Sequence, residues 1–157
     1  MRAKITTPEM ECAVAAFLNP RVNLIVPNVS WGMDLHECDL LVITKAGYAW
    51  EVEIKVTKAD LKKDAQKWHQ HRDSRIKHLY FAIPNYLEDS VEYVPERAGI
   101  IVVNSAIPDR YDQPPRCRRI RAAQTNRAAQ PFTDAERYKV ARLGALRIWP
   151  LKRKLIS

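Results

Sequence analysis

Two runs in which apolar residues are interleaved with a few charged ones, 38–44 and 48–56, stand either side of Lys45-Ala46-Gly47. The glycine can supply a positive φ there, so the stretch predicts a β-hairpin. With a three-residue loop, Thr44 pairs with Tyr48 and paired residue numbers sum to 92. That register sets Asp39 opposite Glu53, with Cβ atoms roughly 5 Å apart. Asp39, Glu51, Glu53 and Lys55 then share one face, and Leu40, Val42, Val52, Ile54 and Val56 share the other, a core face. Leu41 and Ile43 fall on the charged face and imply that it too is partly covered. Like charges directly opposite are destabilising unless a cation or water compensates them. A two-residue loop would put Asp39 and Glu53 on opposite faces, so any site here depends on the turn.

The remaining pattern surrounds this hairpin with helices and further strands. Residues 8–18 read as a helix, capped by Thr6 or Thr7, with Pro8 in its first turn and Met10, Ala13, Val14 and Phe17 on its apolar face. Residues 22–29, interrupted by Pro27, read as an edge strand. Thr57 opens a helix running to about Arg72, with Leu61, Ala65 and Trp68 on one face. Strands at 78–83 and 99–104 flank a short helix at 86–94. Pro108, Pro114 and Pro115 mark a loop, and residues 116–121 a basic edge strand. Thr133 and Glu136 form a capping box for a last helix that carries Tyr138, Val140, Ala141, Leu143 and Leu146. The order αβββαβαβ, followed by a basic extension, predicts an α/β fold with a mixed sheet.

The net charge of +8 is uneven. Residues 1–109 hold 13 Lys and Arg against 15 Asp and Glu, whereas residues 110–157 hold 13 against 3. The division suggests a core over 1–109 and a basic C-terminal extension over 110–157, packed on the core or continuous with it. A basic segment of this kind suits a polyanion such as nucleic acid, or serves as a solvated tail. No stretch approaches the ~18 apolar residues of a membrane span. With no signal-peptide pattern at the start, a cytoplasmic protein is expected. Cys12, Cys38 and Cys117 match neither a zinc pattern nor a disulfide framework and are expected to be buried thiols. On a helix His69 and His71 would point about 200° apart, which excludes a shared metal.

An Asp on one strand, then Glu53-Ile54-Lys55 on the next, after a helix bearing Glu9 or Glu11, resembles the PD-(D/E)XK nuclease superfamily. Cys38 stands where the motif name has Pro. The run Thr57-Lys58-Ala59-Asp60-Leu61, Asp64, Lys67-Trp68, and the stretches 79–84 and 95–103, are similar to MmcB-like and Holliday-junction-resolvase-like DNA-repair nucleases of bacteria and phages. The resemblance implies a restriction-endonuclease-like αβββαβ core: a central mixed β-sheet flanked by helices. It also implies Mg²⁺-dependent hydrolysis of DNA phosphodiesters, with Mn²⁺ as a substitute ion, on double-stranded or branched DNA. Members often dimerise to cut two strands, so a homodimer is one possibility.

Asp39 and Glu53, with the Ile54 carbonyl, are the expected metal ligands, since Mg²⁺ takes hard oxygen donors and keeps several waters. Lys55 is expected to hold the attacking water or to stabilise charge at phosphorus. Glu9 and Glu11 lie about 100° to either side of Met10. Glu11, on the more apolar flank, is the favoured helix-borne carboxylate. Glu51 reads either as an outer-shell ligand or as a solvated strand charge, with the second preferred. Lys58, Lys62, Gln66 and His71, after the motif, and Arg118 and Arg119, in the basic strand, are candidate DNA contacts. His36 and Glu37 precede Asp39 and are weaker candidates for a cleft rim. Trp149, near the basic end, reads as a core residue or a base-stacking platform, with the core preferred.

Overall fold

Thr6 opens the first helix by a reciprocal exchange. The Glu9 N–H donates to its hydroxyl, and its own N–H donates to Glu9 Oε2 at 2.7 Å. This helix, α1 (Thr7–Phe17), is the first element of a computed structural model that describes residues 4–29, 37–67, 74–107 and 116–157. It buries Met10, Ala13 and Val14, and leaves Phe17 exposed against expectation. Asn19, at φ 59°, turns the chain out of the helix ahead of Pro20.

Six strands among the described residues form one sheet in chain order: β1 (Leu24–Val29), β2 (Cys38–Ile43), β3 (Ala49–Ile54), β4 (Ile76–Pro84), β5 (Gly99–Val103) and β6 (Cys117–Arg121). The β3–β4 and β4–β5 pairs are parallel, and the other three are antiparallel. Up to β4 the order is αβββαβ, the mixed α/β arrangement expected. Helix α2 (Lys58–Asp64) makes the connection between the parallel strands β3 and β4. It is shorter than expected. After Asp64 the backbone tightens into i→i+3 turns at Gln66 and Lys67, the usual way a helix runs out. Trp68, His69, His71 and the rest of the expected helix lie outside the described residues, as do His36, the proline loop and the 109/110 division.

The hairpin adopts the expected register. Leu40 pairs with Val52, Leu41 with Glu51, Val42 with Trp50 and Ile43 with Ala49. Gly47, at φ 89°, closes the loop, and its N–H donates to the Thr44 carbonyl at 2.8 Å.

Strand alternation divides the core. On one face Leu40, Val42, Val52, Ile54, Tyr80 and Ala82 pack against Met10, Ala13 and Val14 of α1. The other face is covered in two places. Leu41, Ile43 and Ile76 lie with Phe132 and Val140 at α3 (Asp134–Leu146). Leu79, Phe81, Ile83 and Val102 lie with Leu61 of α2 and Leu87 of a 3₁₀ segment, Asn85–Tyr93. Residues 117–146 thus supply the sheet's last strand and part of its cover.

The last helix departs from expectation. Only Val140 of α3 is buried, while Tyr138 and Leu146 are largely exposed. A second helix, α4 (Ile148–Lys154), follows with no buried residue, so Trp149 is a surface side chain and not a core one. The middle and last turns of α3 cover this part of the sheet, with Val140 and Leu143 packed against Val26, Leu41 and Ile43, and α4 continues beyond that cover. Cys12 is likewise exposed, whereas Cys38 and Cys117 are buried.

Candidate active site

β3 brings Glu51, Glu53 and Lys55 onto the face covered by α2 and α3, and all three are buried. Glu51 is 0 % exposed and Glu53 2 %. The expectation of a solvated Glu51 is therefore wrong. Its face is roofed by elements far away in sequence, and an exposed strand charge has no place under a roof.

Lys55 is the hub. Its Nζ lies 3.2 Å from Glu53 Oε2 and 3.0 Å from Asp64 Oδ1. Asp64, itself 4 % exposed, also pairs with Lys67 at 2.9 Å. Burial pushes the Lys55 pKa down, but the Glu53 and Asp64 carboxylates, with Asp39 further off, outweigh it and hold the ammonium above its ordinary value. The direction of that shift favours the ammonium form. Sequence reading did not assign Asp64 a role. The available signal was its i,i+3 spacing from Leu61, which puts both on the buried face of α2.

Asp39 sits one step beyond the last hairpin pair. Its Oδ2 accepts the Ile54 N–H at 2.8 Å, so the carboxylate leans in toward the backbone of β3. In an extended residue the N–H and C=O face the same neighbouring strand. The Ile54 carbonyl therefore lies on the Asp39 side of β3, and the next N–H, of Lys55, donates the other way to Ala82.

The two candidate carboxylates of α1 separate cleanly. Glu9 is exposed and closes the capping box, which lowers its pKa. Glu11 is half-buried, and its pKa is raised by that burial and by the negative charge of Asp39. The charge of Asp39 is thus felt both by Glu11 and by Lys55. Among the described residues, no group of three or more His, Cys, Asp and Glu side chains is spaced to hold a metal ion between them.

The candidate DNA contacts are not gathered in one place. Lys58 and Lys62 are exposed and sit over the Tyr93 ring at 5.9 and 5.4 Å. Gln66 is exposed, and His71 lies outside the described residues. Arg118 pairs with Glu88, and Arg119 Nη1 donates to the Tyr80 hydroxyl at 3.3 Å. Both arginines remain exposed on the edge strand β6.

Fold and site together define an α/β protein whose mixed sheet carries a buried Glu–Lys–Asp cluster at the end of its central hairpin. The model of the MmcB-like DNA repair protein family matches residues 9–151, and the chain belongs to that family. No curated protein matches it. Among solved structures it is similar to the SPO1766 protein of unknown function from Silicibacter pomeroyi. The TM-score is 0.63 at 18 % identity, over 99 % of this chain and 94 % of that one. At that identity the likeness is one of fold. Among the described residues no helix is long and apolar enough to cross a membrane.

Proposed function

We propose that this chain is a Mg²⁺-dependent deoxyribonuclease that hydrolyses DNA phosphodiesters in repair. The observation that carries the reading is Lys55. A lysine held cationic between two buried carboxylates is costly to the fold, and such perturbed groups concentrate at functional sites. Membership of a DNA-repair family supports DNA as the substrate class.

The donor chemistry suits the ion. Asp39 and Glu53 offer carboxylate oxygens, and Ile54 offers a carbonyl on the Asp39 side of the strand. Mg²⁺ needs no more than one or two protein carboxylates and completes its shell with water and phosphate oxygens. When bound, it would supply an acidified water and neutralise charge on the phosphoryl group. The protein's own part is electrostatic. Lys55, positioned by Glu53 and Asp64, presents a fixed positive charge where negative charge grows in the transition state. Glu11 presents a carboxyl with a raised pKa on the Asp39 side, suited to hold or pass a proton. Lys58, Lys62, Arg118 and Arg119 would contact the phosphate backbone without reading sequence.

One observation favours a second reading, a nucleic-acid-binding module without catalysis: Lys55 is already occupied by two carboxylates. One experiment separates the two. The protein is incubated with linear, branched and single-stranded DNA in Mg²⁺, Mn²⁺ or EDTA, beside Lys55→Ala. Metal-dependent cleavage by the wild type, lost in Lys55→Ala with DNA binding retained, supports the nuclease. Binding with no cleavage of any substrate supports the module.

A further inference from the structure

Asp64 is the last residue of α2. The Lys67 N–H then donates to the Asp64 carbonyl at 3.0 Å, a tight turn that carries the Lys67 side chain back over Asp64. Lys67 Nζ lies 2.9 Å from Asp64 Oδ1, the same oxygen that Lys55 Nζ approaches at 3.0 Å. Two ammoniums therefore meet at one carboxylate oxygen and stand within about 6 Å of each other.

The three groups differ in their access to water. The Asp64 side chain is 2 % exposed and that of Lys55 11 %, whereas that of Lys67 is 41 % exposed. Parting Asp64 from Lys55 would strand buried charge, which is costly. Parting it from Lys67 is easy, because an ion pair open to solvent is weak and its cation regains water at once. Lys67 is thus the cation of the two that an arriving anion can draw off. A phosphate fits the gap: charge-assisted hydrogen bonds of about 2.8 Å let its separate oxygens reach two ammoniums set this far apart. With Lys67 turned to a phosphate, Asp64 has one of these ammoniums fewer to balance, and its charge falls on Lys55.

We propose that Lys67 is a substrate-binding residue that takes a backbone phosphate of DNA, and that Asp64 is the positioning residue through which this capture tightens the hold on Lys55. The proposal rests on the reading of Lys55 as the cation that meets the reacting phosphate. It adds to that reading an order of events: the exposed lysine engages first, and the buried one is fixed as a result.

The test is fluorescence anisotropy of the full chain with labelled duplex and branched DNA in EDTA over a range of salt, so that binding is read without cleavage. Lys67→Gln should weaken binding about threefold or more and lower the slope of log affinity against log salt by about 0.9, the share of one phosphate contact. Lys67→Arg should restore both. Asp64→Asn removes the acid that competes with phosphate for Lys67, and it should bind DNA at least as tightly as the wild type. In Mg²⁺, Lys67→Gln should raise KM with kcat little changed, and Asp64→Asn should lower kcat with KM little changed. Lys67 is exposed, so its variants should melt as the wild type does. If Asp64→Asn does not fold, the contrast of Lys67→Gln with Lys67→Arg decides alone. Two results would overturn the proposal: Lys67→Gln binds DNA with the affinity and salt slope of the wild type, or a folded Asp64→Asn binds as weakly as Lys67→Gln, which would make the pair a structural tie. A wild type that cleaves no DNA while the binding pattern holds would sink the nuclease reading and still support Lys67 as a phosphate contact.

Discussion

The two faces of β3 are about equally dry and chemically opposite. Toward α1, Val52 and Ile54 meet Met10, Val14, Leu40 and Ala82, a face of hydrocarbon. Toward α2 and α3, Glu51, Glu53 and Lys55 are just as buried, with Asp64 brought down to them. The first face is what a stable fold requires. The second lowers stability relative to a hydrocarbon equivalent, because each charge gives up its hydration and recovers it only in part from its partners. The alternation of a single strand thus sets a face of cohesion against a face of buried charge.

The sharpest break of that comparison is a pair of substitutions. Lys55→Met should lower cleavage about 10²-fold or more and cost about 3–5 kcal/mol, since it strands buried carboxylates. Leu40→Ala, on the hydrocarbon face, should cost about 2–5 kcal/mol yet leave cleavage per folded molecule unchanged. Urea unfolding beside a cleavage assay reads both. A fall in specific activity for Leu40→Ala would mean the faces are not independent.

Metal provides the next test. Mg²⁺ at 100 times its dissociation constant should stabilise the wild type by about 2.7 kcal/mol. Asp39→Ala should abolish that response, and equal thermal shifts in both proteins would remove the metal from the charged face.

The rim of the same face is held by a conventional ion pair. Arg75 meets Glu136 through two hydrogen bonds, at 2.7 and 2.9 Å, tying the approach to β4 to the start of α3. Arg75, together with the Thr133 N–H, holds the Glu136 carboxyl at about 2 instead of 4.5. A depressed carboxyl stabilises the fold at pH above its unfolded value. This contribution should therefore be full above about 4.5 and be lost as pH falls toward 2. Arg75→Ala should cost about 2 kcal/mol at neutral pH and flatten the acid limb, as acid denaturation would show.

The smallest effects divide α1. Glu9→Gln should lower the melting temperature slightly with cleavage intact, whereas Glu11→Gln should reduce cleavage with melting intact. The reverse pattern would exchange their roles.

The hairpin and its register were readable because turn chemistry and period-2 alternation are local properties. The separation of Glu9 from Glu11 was partly readable: helical geometry offers two candidates, the apolar flank favours Glu11, and the capping box that occupies Glu9 and the charge of Asp39 beside Glu11 add to the distinction. Glu51 and Asp64 were misjudged or passed over for a different reason. Whether a charged strand face is covered depends on Val140, Phe132 and Leu87, which lie far along the chain and carry no local mark of where they pack. Trp149 failed in the opposite sense. An aromatic residue at the end of an apolar helix is usually inside, but here α4 continues beyond the cover that α3 gives the sheet.

The Asp39 side chain accepts a backbone hydrogen bond that a neighbouring strand would ordinarily accept. Anything that draws electron density from that carboxylate must also loosen its hold on the Ile54 amide. The amide group of residue 54 is therefore a built-in gauge. Its chemical shift and its rate of exchange with deuterium report the state of the site directly, with no substrate, label or turnover required.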